Sequence, residues 1–225
     1  MLIGATGFIG SAVAARLARD GHELAATARA IGPDARRLPV SRWIQIDLRQ
    51  VRGAEDWLQH LEGIEAVVNC AGALQDSPRD STAAVHRDAP AALWQACDTA
   101  GVRRVVQVSA IGVDPGGPTR FSRTKWEGDA ALEASGLDWA ILRPSVVVGR
   151  QAYGGSALFR GLAALPVLPG IPEAGPLDVV QLDDVSETVA RLLRPGAPSQ
   201  VALELAGPDR LAFEEVVAAY RRWLG

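Results

Sequence analysis

The chain has 225 residues, a formal charge of −3, and 48% hydrophobic against 22% charged residues. That is the composition of a globular chain: one large domain, or a main domain with a small subdomain. The acidic balance gives no global pull toward nucleic acid or anionic membrane. No run approaches the ~20 apolar residues of a membrane span, and the richest candidates are broken by Arg143 with Pro144 and by Pro166. The N-terminus lacks the basic start and long apolar core of a signal peptide. Cys70 and Cys97 lack CxxC spacing, so a reduced, cytoplasmic protein without a metal centre is expected. Of 23 basic residues, 22 are arginine and one is lysine, Lys125.

The elements alternate along the chain. Leu2-Ile3 precedes a glycine-rich turn and a helix over 8–19, where Ile9, Val13 and Leu17 recur at helical spacing. Only three residues stand before Gly4, so either this strand is abbreviated or the natural chain begins upstream. Strands are expected at 22–28, 43–48, 64–70, 103–109 and 137–142. The loop over 29–41 is rich in Arg, Pro and Gly. A helix over 82–100 carries Pro90 as a kink or break. A helix over 120–135 is expected to close on Gly136. After Pro144, Gly, Pro and Leu dominate as far as 176. A helix at 183–193, opened by Asp183 and Asp184 as caps, a strand at 201–205 and a helix at 211–224 follow.

This order of apolar strands and helices predicts an α/β fold, a doubly wound parallel sheet. The expected division is a dinucleotide-binding domain over 1–148 and a small C-terminal α/β subdomain over 149–225, on the substrate side and interleaved with the sheet edge.

Gly4-Ala5-Thr6-Gly7-Phe8-Ile9-Gly10 lies between a strand and a helix, the context in which GxxGxxG cradles a pyrophosphate. Gly4 allows the tight turn, Gly7 lets backbone approach the phosphates, and Gly10 lets helix pack closely on strand. Helix N–H groups then meet the anion. The acid that binds the ribose 2′-hydroxyl of NAD is expected at the end of the second strand. The chain has Arg29 there, with Arg36 and Arg37 in the following loop. A guanidinium suits a 2′-phosphate, so NADP is expected, with NAD the alternative.

Further segments extend the pattern: Asp47-Leu48, Asn69-Cys70-Ala71-Gly72, Val108-Ser109-Ala110-Ile111-Gly112 and Leu142-Arg143-Pro144-Ser145. With GATGFIG they make the chain resemble the atypical and extended short-chain dehydrogenase/reductase superfamily. The likeness is to its NmrA-like, complex I accessory-subunit-like and epimerase/dehydratase-like NAD(P)-binding members. The resemblance spans nearly the whole chain and implies a Rossmann sheet. It places Asp47 and Leu48 by the adenine, and Ala71 and Gly72 by the nicotinamide-side ribose. Pro144 and Ser145 fall near the nicotinamide, with Ser109 as the site hydroxyl. It also implies a homodimer through helix–helix contact.

One departure decides the chemistry. Members of that superfamily use Tyr-x-x-x-Lys, two side chains on one helix face. The lysine holds the ribose and lowers the phenol pKa, and the phenol trades a proton with substrate. Here the slot reads Phe121-Ser122-Arg123-Thr124-Lys125. The only lysine is in place, and the hydroxyl is missing. Tyr153, on the loop after Ser145, is the substitute acid to consider. His22, His60 and His86 are expected on surfaces or loops, and Trp126 and Trp139 in the core. Two readings stand: an NADP(H)-dependent oxidoreductase acting on a small molecule with an unusual proton source, and a non-catalytic dinucleotide sensor that engages a protein partner according to cofactor state.

Overall fold

Val67 and Val68 show how the layers arise. Neighbouring strand residues point to opposite faces, and each of these two enters a different core. In the computed structural model, which describes residues 1–150, 154–166 and 175–224, the elements run β1 (Leu2–Ile3), α1 (Phe8–Arg19), β2 (Ala25–Ala28), β3 (Arg42–Gln45), α2 (Glu55–Leu58), β4 (Ala66–Asn69), α3 (Ala89–Ala100), β5 (Arg104–Val108) and α4 (Arg120–Glu133). They continue with β6 (Asp138–Pro144), β7 (Val146–Val148), α5 (Gly154–Ala163), β8 (Leu177–Gln181), α6 (Leu182–Leu192), β9 (Val201–Leu205), β10 (Arg210–Leu211) and α7 (Phe213–Leu224).

The main sheet has seven strands in the order β3-β2-β1-β4-β5-β6-β9, all paired in parallel. Val67, Val105 and Ile141 face one core with Trp57, Leu93 and Leu132 from α2, α3 and α4. Val68, Val106 and Leu142 face the other with Val13 and Leu17 of α1 and Val185 and Val189 of α6. This is the predicted doubly wound sheet. The chain runs from β1 outward to β3, then crosses back to β4, so the strand order reverses between β1 and β4. In such a sheet a ligand crevice opens at the carboxyl ends of those strands.

Residues 149–225 contribute to both layers. β9 extends the main sheet, and α6 packs on α1 through Arg16, whose Nε donates to Glu187 at 2.7 Å. β7, β8 and β10 form a second, three-stranded sheet, covered by α5 and α7 through Phe159, Phe213 and Tyr220.

Several local expectations change. The helix containing Pro90 is continuous from 82 to 100, with a π-helical turn over Ala84–Asp88. Pro90 has no N–H for the His86 carbonyl, and the ladder widens to accommodate this. Gly136 does not cap α4: Ala134 holds that position in right-handed geometry. Gln181, not an aspartate, is the N-cap of α6; Asp183 and Asp184 fill its first turn, where negative charge suits the helix dipole. Trp126 is 36% exposed, outside the core. Tyr153 lies outside the described residues. Among those residues no helix is long and apolar enough to cross a membrane.

Candidate functional site

The glycine turn follows β1 directly. Gly4 has φ +74°, and a Cβ there would lie 2.8 Å from the Ala71 nitrogen. A Cβ on Gly10 would fall inside the Gly4 carbonyl, so α1 can start this close to the sheet only with glycine at that position. Asn69, at the end of β4, donates to Gln107 Oε1 at 2.8 Å and accepts the Ala71 N–H at 3.0 Å. This fixes the 70–72 turn opposite the glycines.

Between these turns lies a cavity of about 560 Å³ at the β1/β4 reversal. Its walls include Gly4, Thr6, Gly7, Phe8, Ile9, Arg29, Asp47, Leu48, Ala71, Gly72, Phe121, Pro144 and Ser145. Gly10 sits just behind the cradle. Arg36 and Arg37 are exposed on a 3-10 turn and are not wall residues.

The two ends of the cavity differ in chemistry. The outer end carries Arg29, Arg49 and Arg79 beside Asp47 and Asp80. Asp47 accepts from Arg49 through Nε, Nη2 and the backbone N–H, the Nη2 contact at 2.6 Å. That guanidinium holds the Asp47 carboxyl below the usual range.

The inner end is apolar at its surface, with Val85, Ala110, Ile111, Phe121 and Val146. The Phe121 ring meets the His86 ring edge-on at 5.3 Å, with Lys125 Nζ 5.8 Å from its centroid. Lys125 is buried, and its ammonium donates to the Val108 carbonyl at 3.0 Å. Burial lowers its pKa, opposed by Asp129 and Cys70. Ser109 is also buried behind the wall, donating to Asp129 Oδ2 at 2.8 Å. Cys70 follows the end of β4 rather than lying in it, half-buried on the cavity wall; desolvation pushes its thiol up to about 12.

Sequence reasoning missed two residues here. His86, expected at the surface, is 2% exposed. Its Nε2 accepts the Ala73 N–H at 3.0 Å, and Nδ1 lies 2.9 Å from Thr124 Oγ1. An acceptor at Nε2 places the proton on Nδ1. Burial first, then the Lys125 charge, lowers its pKa to about 3, so it is neutral. Asp129 is 1% exposed and gathers Ser109 together with Arg143, whose Nε donates to Oδ2 at 3.1 Å. Among the described residues its Oδ1 has no hydrogen-bond partner. Burial pushes its pKa up, against Ser109, Lys125 and Arg143. Asp129 lies one helical turn beyond Lys125, a spacing that could have flagged it.

The strand order, the reversal-point cavity and the glycine cradle define a dinucleotide-binding Rossmann protein. The chain belongs to the NAD(P)H-binding family, whose model matches residues 4–162. An uncharacterised protein of Mycobacterium tuberculosis is 28% identical over 97% of this chain, which spans only 23% of that protein's length. An NAD(P)H azoreductase of Xenophilus azovorans is 28% identical over 57% of this chain and 44% of its own. Among solved structures, the Bordetella bronchiseptica enzyme WbmG in complex with NAD superposes with a TM-score of 0.80 at 20% identity. That match covers all of this chain and 77% of the other. The fold is that of NAD-dependent epimerase and dehydratase structures, in keeping with the resemblance to extended short-chain dehydrogenases. The residues present fit a nicotinamide dinucleotide: side chains at Gly4 and Gly10 would collide with the backbone that forms the cradle, and the outer end holds three guanidinium groups.

Proposed function

We propose that the protein is an NAD(P)H-dependent reductase of an acceptor that takes hydride without a proton from a tyrosine. The carrying observation is Phe121, which lines the inner end where the family resemblance calls for a phenol. A bound reduced nicotinamide supplies the hydride. The protein contributes an apolar wall that excludes water, a buried ammonium at Lys125, and the 70–72 and 143–145 turns that position the ring. Among the described residues the Phe121 slot carries no phenol to give the acceptor a proton, so solvent completes the reduction. Quinone-like or azo acceptors suit that chemistry, because their reduced anions are stabilised by delocalisation. The azoreductase relative supports this class.

Arg29, in place of the β2-end acid, with Arg49 and Arg79 beside it, supports acceptance of NADPH. The free thiols of Cys70 and Cys97 suit a reducing cytoplasm. The second reading, a non-catalytic dinucleotide sensor with a protein partner, is favoured by the same Phe121 and by the Lys125 ammonium being engaged with the Val108 carbonyl.

The test is NAD(P)H oxidation by purified protein with a quinone and with a simple ketone, for wild type, Phe121→Tyr and Lys125→Ala. Quinone-dependent oxidation is expected in wild type and absent with the ketone. Phe121→Tyr should keep the quinone rate within about threefold and gain ketone reduction, since proton transfer by a positioned group is worth ~10²-fold or more. Lys125→Ala should weaken dinucleotide binding at least about tenfold, the scale of a lost charged hydrogen bond. Tight dinucleotide binding with no turnover of any acceptor would overturn the reductase and leave the sensor.

A further inference from the structure

We infer that Asp80 is the residue that sets the choice between NADPH and NADH, standing in from another loop for the acid missing at the end of β2. This inference rests on the dinucleotide-binding reading of the cavity and not on turnover.

The position after β2 is Arg29, so no carboxylate is available there for a ribose hydroxyl. Asp47, at the end of β3, is occupied by three donors of Arg49. The remaining carboxylate of the outer wall is Asp80, from the loop that follows β4. Its Oδ1 accepts from Arg29 Nη1 at 2.8 Å, and the same nitrogen donates to the Arg79 carbonyl at 2.9 Å.

The contact belongs to a built turn. The Ser77 N–H donates to the Asp80 carbonyl at 2.9 Å, and the Ser77 hydroxyl accepts the Arg79 and Asp80 N–H groups at 3.1 and 3.0 Å. Ser77 Oγ also donates to Asp80 Oδ2 at 3.2 Å, and Arg49 Nη1 donates to the Pro78 carbonyl at 3.2 Å. One turn is thereby latched to both arginines, which hold it from the ends of β2 and β3.

The consequence for a ligand is one of charge. A 2′-phosphate seeks the Arg29 guanidinium and meets the Asp80 carboxylate already on it. A 2′-hydroxyl has a proton to donate to that carboxylate and no charge for it to repel. Asp80 therefore favours NADH and opposes NADPH, while Arg29 does the reverse. The pair gives a site that takes both dinucleotides with a modest preference, and the balance sits in one side chain.

The experiment is titration of wild type, Asp80→Asn and Arg29→Ala with NADPH and NADH at low and high salt. Nicotinamide fluorescence or calorimetry supplies the readout. Asp80→Asn keeps the shape of the side chain and removes its charge. Its ratio of NADPH to NADH affinity should rise about tenfold, the effect of removing one charge at a few ångströms in a partly exposed site. That gain should shrink at high salt, because exposed charges are screened. Arg29→Ala should lose NADPH affinity and spare NADH. An Asp80→Asn ratio within twofold of wild type would overturn the inference. Failure of wild type to bind either dinucleotide would instead overturn the dinucleotide reading beneath it.

Discussion

The inner and outer ends of the cavity are built on opposite physical terms. At the inner end, His86, Lys125, Ser109 and Asp129 are all below 10% exposed. Most of their polar atoms bond to one another, to backbone or to Thr124 and Arg143, behind a wall of Phe121 and aliphatic side chains. At the outer end, the side chains of Arg29, Arg49, Asp47 and Asp80 are 18–57% exposed and pair across water-accessible space. Removing one partner of a buried group leaves the other desolvated and unsatisfied. Removing one partner of an exposed ion pair leaves a solvated charge. Changes at the inner end should therefore be felt by the whole fold, and changes at the outer end chiefly by the ligand.

The largest expected effect is at Gly128, on α4 between Lys125 and Asp129. A Cβ there would fall inside the backbone carbonyl of His86, the group that Pro90 leaves without its helical donor. Backbone meets backbone at this point, and no rotamer change relieves it. Gly128→Ala should cost about 3 kcal/mol, the upper range of overpacking, or roughly a 10 °C fall in Tm for a chain of this size. Dinucleotide affinity should fall with it, because Phe121 and Lys125 ride on the displaced helix. Gly136→Ala is the control. No atom lies within 4 Å of its Cβ position, and its φ is not in the left-handed region, so stability should change by less than about 0.5 kcal/mol. Equal melting curves for the two variants would remove the distinction between a packed inner end and open surface.

The next effect is a pH dependence. His86 is held neutral with a pKa near 3, far below its ordinary value of 6.5. Above pH 6.5 folded and unfolded chains carry the same charge on this residue. Below it, the unfolded chain takes a proton that the folded chain refuses. Stability contributed by His86 is therefore intact above pH 6.5 and falls by about 1.4 kcal/mol per pH unit down to pH 3. Urea denaturation at pH 7.0, 6.0 and 5.0 measures the slope. His86→Gln can still offer an acceptor to the Ala73 N–H and should flatten it between pH 6.5 and 5. A slope unchanged in the variant would mean that some other group carries the acid sensitivity.

The same contrast explains what the sequence made legible. Gly4, Gly7 and Gly10 announce the cradle because their constraints are local, within seven residues of chain. Phe121 and Lys125 are legible because one helical turn puts them on one face. The valine-rich strands are legible because a sheet buried on both faces tolerates little else. The buried polar network was hidden. His86 finds Ala73 and Thr124 at separations of 13 and 38 residues, and Asp129 finds Ser109 at 20. No spacing rule links such residues before the strands are aligned. Arg29 and Asp80, 51 residues apart, were legible by half. The arginine was legible at the end of β2, but the carboxylate paired with it was not, because the contact forms only once the loop after β4 folds over the sheet edge. Gly136 and Asp183–Asp184 were misread as caps because helix ends shift by a residue or two with tertiary packing.

The smallest expected effect falls at Arg49, and it tests the outer end directly. Its guanidinium grips Asp47, donates to the Pro78 carbonyl and borders the cavity, yet its side chain is 37% exposed. Arg49→Ala leaves Asp47 as a solvated carboxylate, so unfolding free energy should change by no more than about 1 kcal/mol. The ligand should notice more. The freed Asp47 carboxylate remains on the outer wall of the cavity and the 77–80 turn loses one of its two latches, so affinity for both dinucleotides should fall about threefold, and less at high salt. Calorimetric titration at two ionic strengths, beside a melting curve, separates the two effects. A stability loss matching that of Gly128→Ala would show that Arg49 is structural, and that the outer end is built on the same buried terms as the inner one.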